Sequence, residues 1–71
     1  MSKIKVGQVY KDTSWKTVFC ITYVSFDEED YSGVYNSGEA FFGASKEFEG
    51  ELIAQYPTWQ EAVNSKEFNN D

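Results

Sequence analysis

Carboxylates are the only groups in this 71-residue chain numerous enough to suggest chemistry. The densest run is Asp27-Glu28-Glu29-Asp30; a second set, Glu47, Glu49 and Glu51, alternates along the chain. Oxygen ligands of this kind suit Ca²⁺ or Mg²⁺. A calcium loop of the D-x-[DN]-x-[DN]-G type would need Gly where Ser32 stands, and Tyr31 occupies a ligand position, so the motif fails. Paired acids also serve glycoside hydrolysis, one as acid and one as base or nucleophile. An extended strand would place Glu47, Glu49 and Glu51 on one face, yet so short a chain has little depth for a substrate pocket. A solvated surface explains these acids more simply than a metal or a hydrolase site does.

Cys20 is the single cysteine and the chain has no histidine and no arginine. A thiol nucleophile needs a base beside it, and the commonest one is missing. Cys20 lies in an apolar run and reads as a small core residue. Its solitude excludes an intrachain disulfide and suits a reducing compartment. Neither GxxxxGK[ST] nor GxGxxG occurs. The chain reads as a non-enzyme without cofactor or metal.

Charge narrows the binding partners. The net charge is −6. Lys3, Lys5, Lys11 and Lys16 make the first third basic, and the acids concentrate after residue 25. Direct nucleic-acid binding would use exposed aromatics in a basic groove. Tyr10, Tyr23, Tyr31, Tyr35 and Phe41 could stack on bases, but the groove is absent and these rings read better as core. The reverse fits the charge: acids on a rigid fold can imitate a phosphate backbone and occupy the nucleic-acid site of a basic protein. Glu28, Asp30, Glu39, Glu47, Glu49 and Glu51 are the candidates for that contact. The other reading is a structural protein without a separate ligand that self-associates, as a homodimer for example, through aromatic surface, the basic first third of one copy meeting the acidic remainder of its neighbour.

The elements that must position these residues are mostly strands. Thirteen residues are Phe, Tyr or Trp, enough large apolar surface for a small β core. Ile4 to Lys11 alternates, with a change of phase at Gly7 that predicts a bulge or bend. Residues 15–24 (WKTVFCITYV) predict a central strand buried on both faces, with Trp15, Thr17, Phe19, Ile21 and Tyr23 on one side and Lys16, Val18, Cys20, Thr22 and Val24 on the other. Asp12-Thr13-Ser14 is a polar turn, and 25–32 an acidic connection. Gly33-Val34-Tyr35 and Glu39 to Phe42 form a hairpin about Asn36-Ser37-Gly38. Phe48, Leu52 and Tyr56 recur at helical spacing, but Gly50 and the following Pro57 favour a strand over 51–56. Thr58 and Glu61 form a capping box, starting a helix that Trp59 and Val63 anchor on the sheet and that ends near Asn64–Lys66.

The prediction is a mainly β (α+β) fold: a small curved antiparallel sheet, or SH3-like barrel, of about five strands with a short C-terminal helix. A three- or four-stranded meander under two helices is the alternative. Residues 1–68 form one domain and 69–71 a frayed tail. No run reaches the roughly 20 apolar residues that span a bilayer. No secretory leader is visible, so a cytoplasmic location is expected.

Two stretches carry a resemblance. Val6-Gly7-Gln8-Val9-Tyr10 with Phe19 to Val24, and Tyr56-Pro57-Thr58-Trp59-Gln60-Glu61-Ala62-Val63 running on to Phe68, resemble small uncharacterised proteins of phages and prophages of low-GC Gram-positive bacteria. Such proteins open on a G-x-V-aromatic strand and close on a Y-P-T-W-x-E-A helix. The acidic segment 25–32 is outside the likeness. The resemblance implies viral origin, a small β fold and a host-cell cytoplasmic location. It implies no activity. With the charge pattern it suggests a protein-interaction module, a decoy of a basic host factor.

Overall fold

The computed structural model describes residues 4–12 and 17–69. Five strands form one antiparallel sheet: β1 (Gln8–Lys11), β2 (Val18–Val24), β3 (Asp30–Tyr35), β4 (Ala40–Ala44) and β5 (Glu51–Gln55). Their order across the sheet is β4-β3-β2-β1-β5. The sheet is open, so β4 and β5 are its two edges. A 3-10 turn, Ser45–Glu47, follows β4, and two short helices, α1 (Trp59–Val63) and α2 (Lys66–Asn69), follow β5. The fold is the expected small antiparallel sheet, with two short helices in place of one. The expected strand start at Trp15 and Lys16, the turn residues Thr13 and Ser14, and Asn70 and Asp71 of the expected tail lie outside the described residues. Asn69 belongs to α2, and its side-chain amide donates to the carbonyls of Val63 and Ser65, each at 2.9 Å.

β2 is the central strand because both of its faces are apolar. Val18 and Cys20 pack on the helix side with Val9, Ala62 and Phe68. Phe19 and Ile21 pack on the opposite side with Ile4 and Tyr10. On that inner side the rings make a continuous cluster. Phe41 stacks on Tyr35 at 4.6 Å between centroids and meets Phe19 edge-on at 5.2 Å. Phe48, carried by the connection between β4 and β5, meets Tyr10 at 4.6 Å and Tyr31 at 5.4 Å, both edge-on. It therefore ties β1 to β3 from above. Each such pair adds about 0.5–1.5 kcal/mol to the burial of the rings themselves.

A bulge divides β2. Ile21 pairs with Gly33 and Tyr23 with Ser32, leaving Thr22 as the extra residue. Among the described residues the strict alternation expected for 15–24 therefore holds over Val18–Ile21 and not beyond. Beyond Thr22 the phase inverts: Tyr23 joins the helix side and Val24 packs against the inner cluster.

Gly7 makes the change of phase expected at the start of the chain. Its φ is +95°, and a Cβ there would lie 2.2 Å from the Tyr56 carbonyl oxygen. Its N–H donates to Ile21 O and its C=O accepts from Tyr56 N–H, both at 3.0 Å, joining β1 to β2 and β5. Regular pairing of β1 begins only at Gln8.

Residues 51–55 are the expected strand rather than a helix. Thr58 is the N-cap of α1, its Oγ accepting from Glu61 N–H at 3.2 Å. Glu61 answers through its carboxylate, which accepts from the Thr58 hydroxyl at 3.3 Å rather than from a backbone N–H. Trp59 is not the anchor: it is 39% exposed, whereas Ala62 is buried outright and Phe68 nearly so. α1 is only five residues long, and α2 supplies the second apolar contact. No helix among the described residues is long and apolar enough to cross a membrane.

Candidate interaction surface

The acidic run folds as a tight turn between β2 and β3. Ser25 N–H donates to Asp30 O and Glu28 N–H to Ser25 O, both at 2.9 Å. The Ser25 hydroxyl donates to Asp27 Oδ1 at 2.7 Å and accepts from Asp30 N–H at 3.0 Å. Asp27 Oδ1 also accepts from Glu29 N–H at 3.1 Å. These donors hold the Asp27 carboxyl below its ordinary range, the Ser25 hydroxyl first and the Glu29 amide second. Glu29 O accepts from Ser45 N–H at 2.8 Å, which docks the turn against the end of β4. Closing the turn requires Glu28 at φ +62°, a left-handed backbone that costs a non-glycine residue about 1 kcal/mol.

This turn presents Phe26. Its side chain is fully exposed, between a serine and four acids. Two other aromatics share its exposure. Phe42 is 86% exposed and Tyr23 55%. Tyr23, Ser32 and Phe42 are register partners across β2, β3 and β4, and so stand in one row on the helix side of the sheet. The helices pack on β1 and β2. On the β3–β4 half of that face Val34 packs against the helix-side core, while Phe42 stands exposed among the described residues.

The six expected contact acids do not share one surface. Glu28 and Asp30 lie in the turn, and Glu47 follows Ser45 beside it. Glu39 lies at the far end of the sheet, in the β3–β4 hairpin, where its C=O accepts from Tyr35 N–H at 2.8 Å. Glu51 pairs with Lys11, also toward the far end. Glu49 lies between, just before β5. All six are exposed. The chain thus divides them because β4 runs between Glu39 and Glu47, and residues 48–50 carry the backbone back across the sheet.

Of the five rings considered for base stacking, Tyr10 is buried and Tyr31, Tyr35 and Phe41 belong to the inner cluster; only Tyr23 is exposed. Cys20 is fully buried in the core, and burial pushes its thiol up to about 11, so it remains protonated at neutral pH. Among the described residues no three acids or thiols converge as a metal site requires. An open groove lined by Tyr56, Gln60, Glu61, Asn64 and Ser65 runs along α1. At the α2 end Tyr56 donates a short hydrogen bond to Glu67, which raises the Tyr56 pKa and lowers that of Glu67.

Sequence reasoning overlooked Phe26 and Phe42. Both carried a signal. Phe26 is an aromatic between a serine and a run of four acids, with no apolar residue directly beside it in the chain. Phe41-Phe42 is a doublet in a strand, so one ring must face away from the cluster that holds the other.

No protein-family model, no curated protein and no solved structure matches the chain.

Proposed function

We propose that this chain is a non-catalytic protein-interaction module that makes contact through the β2–β3 turn. The observation that carries this reading is Phe26, fully exposed on a turn that side-chain and backbone hydrogen bonds hold in one shape. A fold that gathers six rings on its inner face leaves this one in water. A fixed turn loses little conformational freedom on binding, which preserves affinity. Asp27, Glu28, Glu29 and Asp30 follow the ring in the same turn, and Glu47 lies two residues beyond Ser45, which bonds to Glu29. The partner that fits is a basic protein offering an apolar pocket rimmed by lysine or arginine. In the decoy form of this reading, Glu28, Asp30 and Glu47 take the place of phosphates. Glu39 and Glu51 lie too far along the sheet to share that contact. A phage-derived protein acting on a basic host factor in the host cytoplasm is the setting that the sequence resemblance and the charge pattern suggest.

The test is capture from a Gram-positive lysate on immobilised protein, with elution by a salt gradient. Wild-type protein and the Glu39→Lys variant are expected to retain the same basic protein at low salt. Phe26→Ser and the Glu28→Lys, Asp30→Lys double variant are expected to release it. Retention that is indifferent to Phe26→Ser overturns the reading.

A further inference from the structure

Among the described residues no strand pairs with the outer edge of β4. Its sequence, Ala40-Phe41-Phe42-Gly43-Ala44, has no charge and no proline, and its pairing with β3 has no bulge. Natural edge strands are usually blunted by one of these devices. The phase of the strand decides which backbone groups are free. Tyr35 N–H donates to Glu39 O, and Ser45 N–H donates to Glu29 O. Odd-numbered residues from Glu39 to Ser45 therefore turn their N–H and C=O toward β3. Ala40, Phe42 and Ala44 turn theirs outward, to the open edge. The side chains of these same three residues lie on the helix side of the sheet, where Phe42 is 86% exposed.

We propose that β4 pairs antiparallel with β4 of a second copy of this chain, across a two-fold axis through Phe42. In that register Phe42 lies opposite Phe42 of the second copy, and Ala40 opposite its Ala44. Ala40, Phe42 and Ala44 of each copy exchange N–H and C=O bonds with Ala44, Phe42 and Ala40 of the other. The two sheets become one, and the central ring meets its own counterpart with small side chains on either side. A two-fold contact needs such a self-complementary patch. Charge selects the antiparallel direction. Glu39 precedes the strand and Lys46 follows it, with Glu47 one residue further. Antiparallel pairing brings Glu39 of one copy to the end where Lys46 of the other emerges, at both ends. Parallel pairing would set Glu39 beside Glu39. The contact is made by the outer edge of β4 and uses neither Phe26 nor the backbone of the β2–β3 turn, so it does not rest on the function proposed above.

Sedimentation of the full chain over a dilution series tests it, with Phe42→Glu and Phe42→Lys variants checked for native near-ultraviolet circular dichroism. Wild-type mass is expected to double with concentration. Raising the salt should favour the dimer, because each copy carries −6; salt should weaken capture of a basic partner. Each variant alone places like charges at the axis and should remain monomeric, and mixing the two should restore the dimer. Wild-type protein that stays monomeric to millimolar concentration overturns the proposal. So does a dimer that survives Phe42→Glu, or a mixture that stays monomeric.

Discussion

β5 closes one side of the sheet with an acid at its first residue, a bulge at Ile53 and Pro57 just beyond its end. β4 closes the other with five uncharged residues in unbroken register. Both edges expose large apolar side chains: Leu52 is 47% exposed and Ile53 39%, against 86% for Phe42. The difference is in what surrounds them. On β5 the bulge twists the backbone and Glu51 adds charge, so a neighbouring strand finds no regular ladder. On β4 the ladder is regular and outward-facing. The same polypeptide thus guards one edge and leaves the other open: β4 holds the fold through Phe41 on its inner side, and its outer edge is the one at which we propose that a second copy pairs.

The largest expected effect lies on the guarded side. Gly7→Ala would force a Cβ against the Tyr56 carbonyl at a backbone angle that alanine avoids, and Gly7 joins β5 to β1. It should cost about 3 kcal/mol or more in chemical denaturation. A loss as small as that of an ordinary surface change would break the contrast between the edges. Thr58→Ala removes the cap of α1 and should cost about 1 kcal/mol, read as a lowered thermal midpoint. On the open side, Phe42→Ser should change the stability of dilute protein by no more than about 0.5 kcal/mol, because the ring packs on little. A larger loss would mean that Phe42 packs on the fold rather than standing free of it.

The smallest effect is at the turn. The Asp27 carboxyl is held below its usual value of 3.8 by the Ser25 hydroxyl and the Glu29 amide. A group depressed on folding contributes stability above its unfolded pKa, and that contribution disappears as pH falls through the folded value. Wild-type protein should therefore keep its advantage over Asp27→Asn above pH 3.8 and lose it progressively below. Thermal melts of both proteins across acid pH check this. A difference that does not vary with pH would show that the ionised carboxylate contributes nothing to the turn.

Much of the fold was legible in the residues. Apolar character on both sides of Val18–Ile21 marked the central strand, and Gly7 marked the change of phase. Pro57 distinguished a strand from a helix over 51–55. The bulge at Thr22 was not legible, because no residue type specifies it; pairing with β3 imposes it, and it turns Tyr23 to the opposite face. Trp59 looked like the helix anchor by size, yet a five-residue helix buries the small Ala62 and leaves the anchoring to Phe68. The candidate surface was legible in charge but not in place. Spacing along the chain could not show that β4 separates Glu39 from Glu47, nor that the turn would leave Phe26 in water.

Amide hydrogen exchange resolved by residue is the most direct test of the contrast between the edges. Phe41 and Gly43 face β3 and Ser45 bonds to Glu29 of the turn, so these three amides should be protected at every concentration. The Ala40, Phe42 and Ala44 amides should exchange freely in dilute protein and become protected as concentration rises. Free exchange at those three positions in concentrated wild-type protein would contradict the assignment of β4 as the pairing edge.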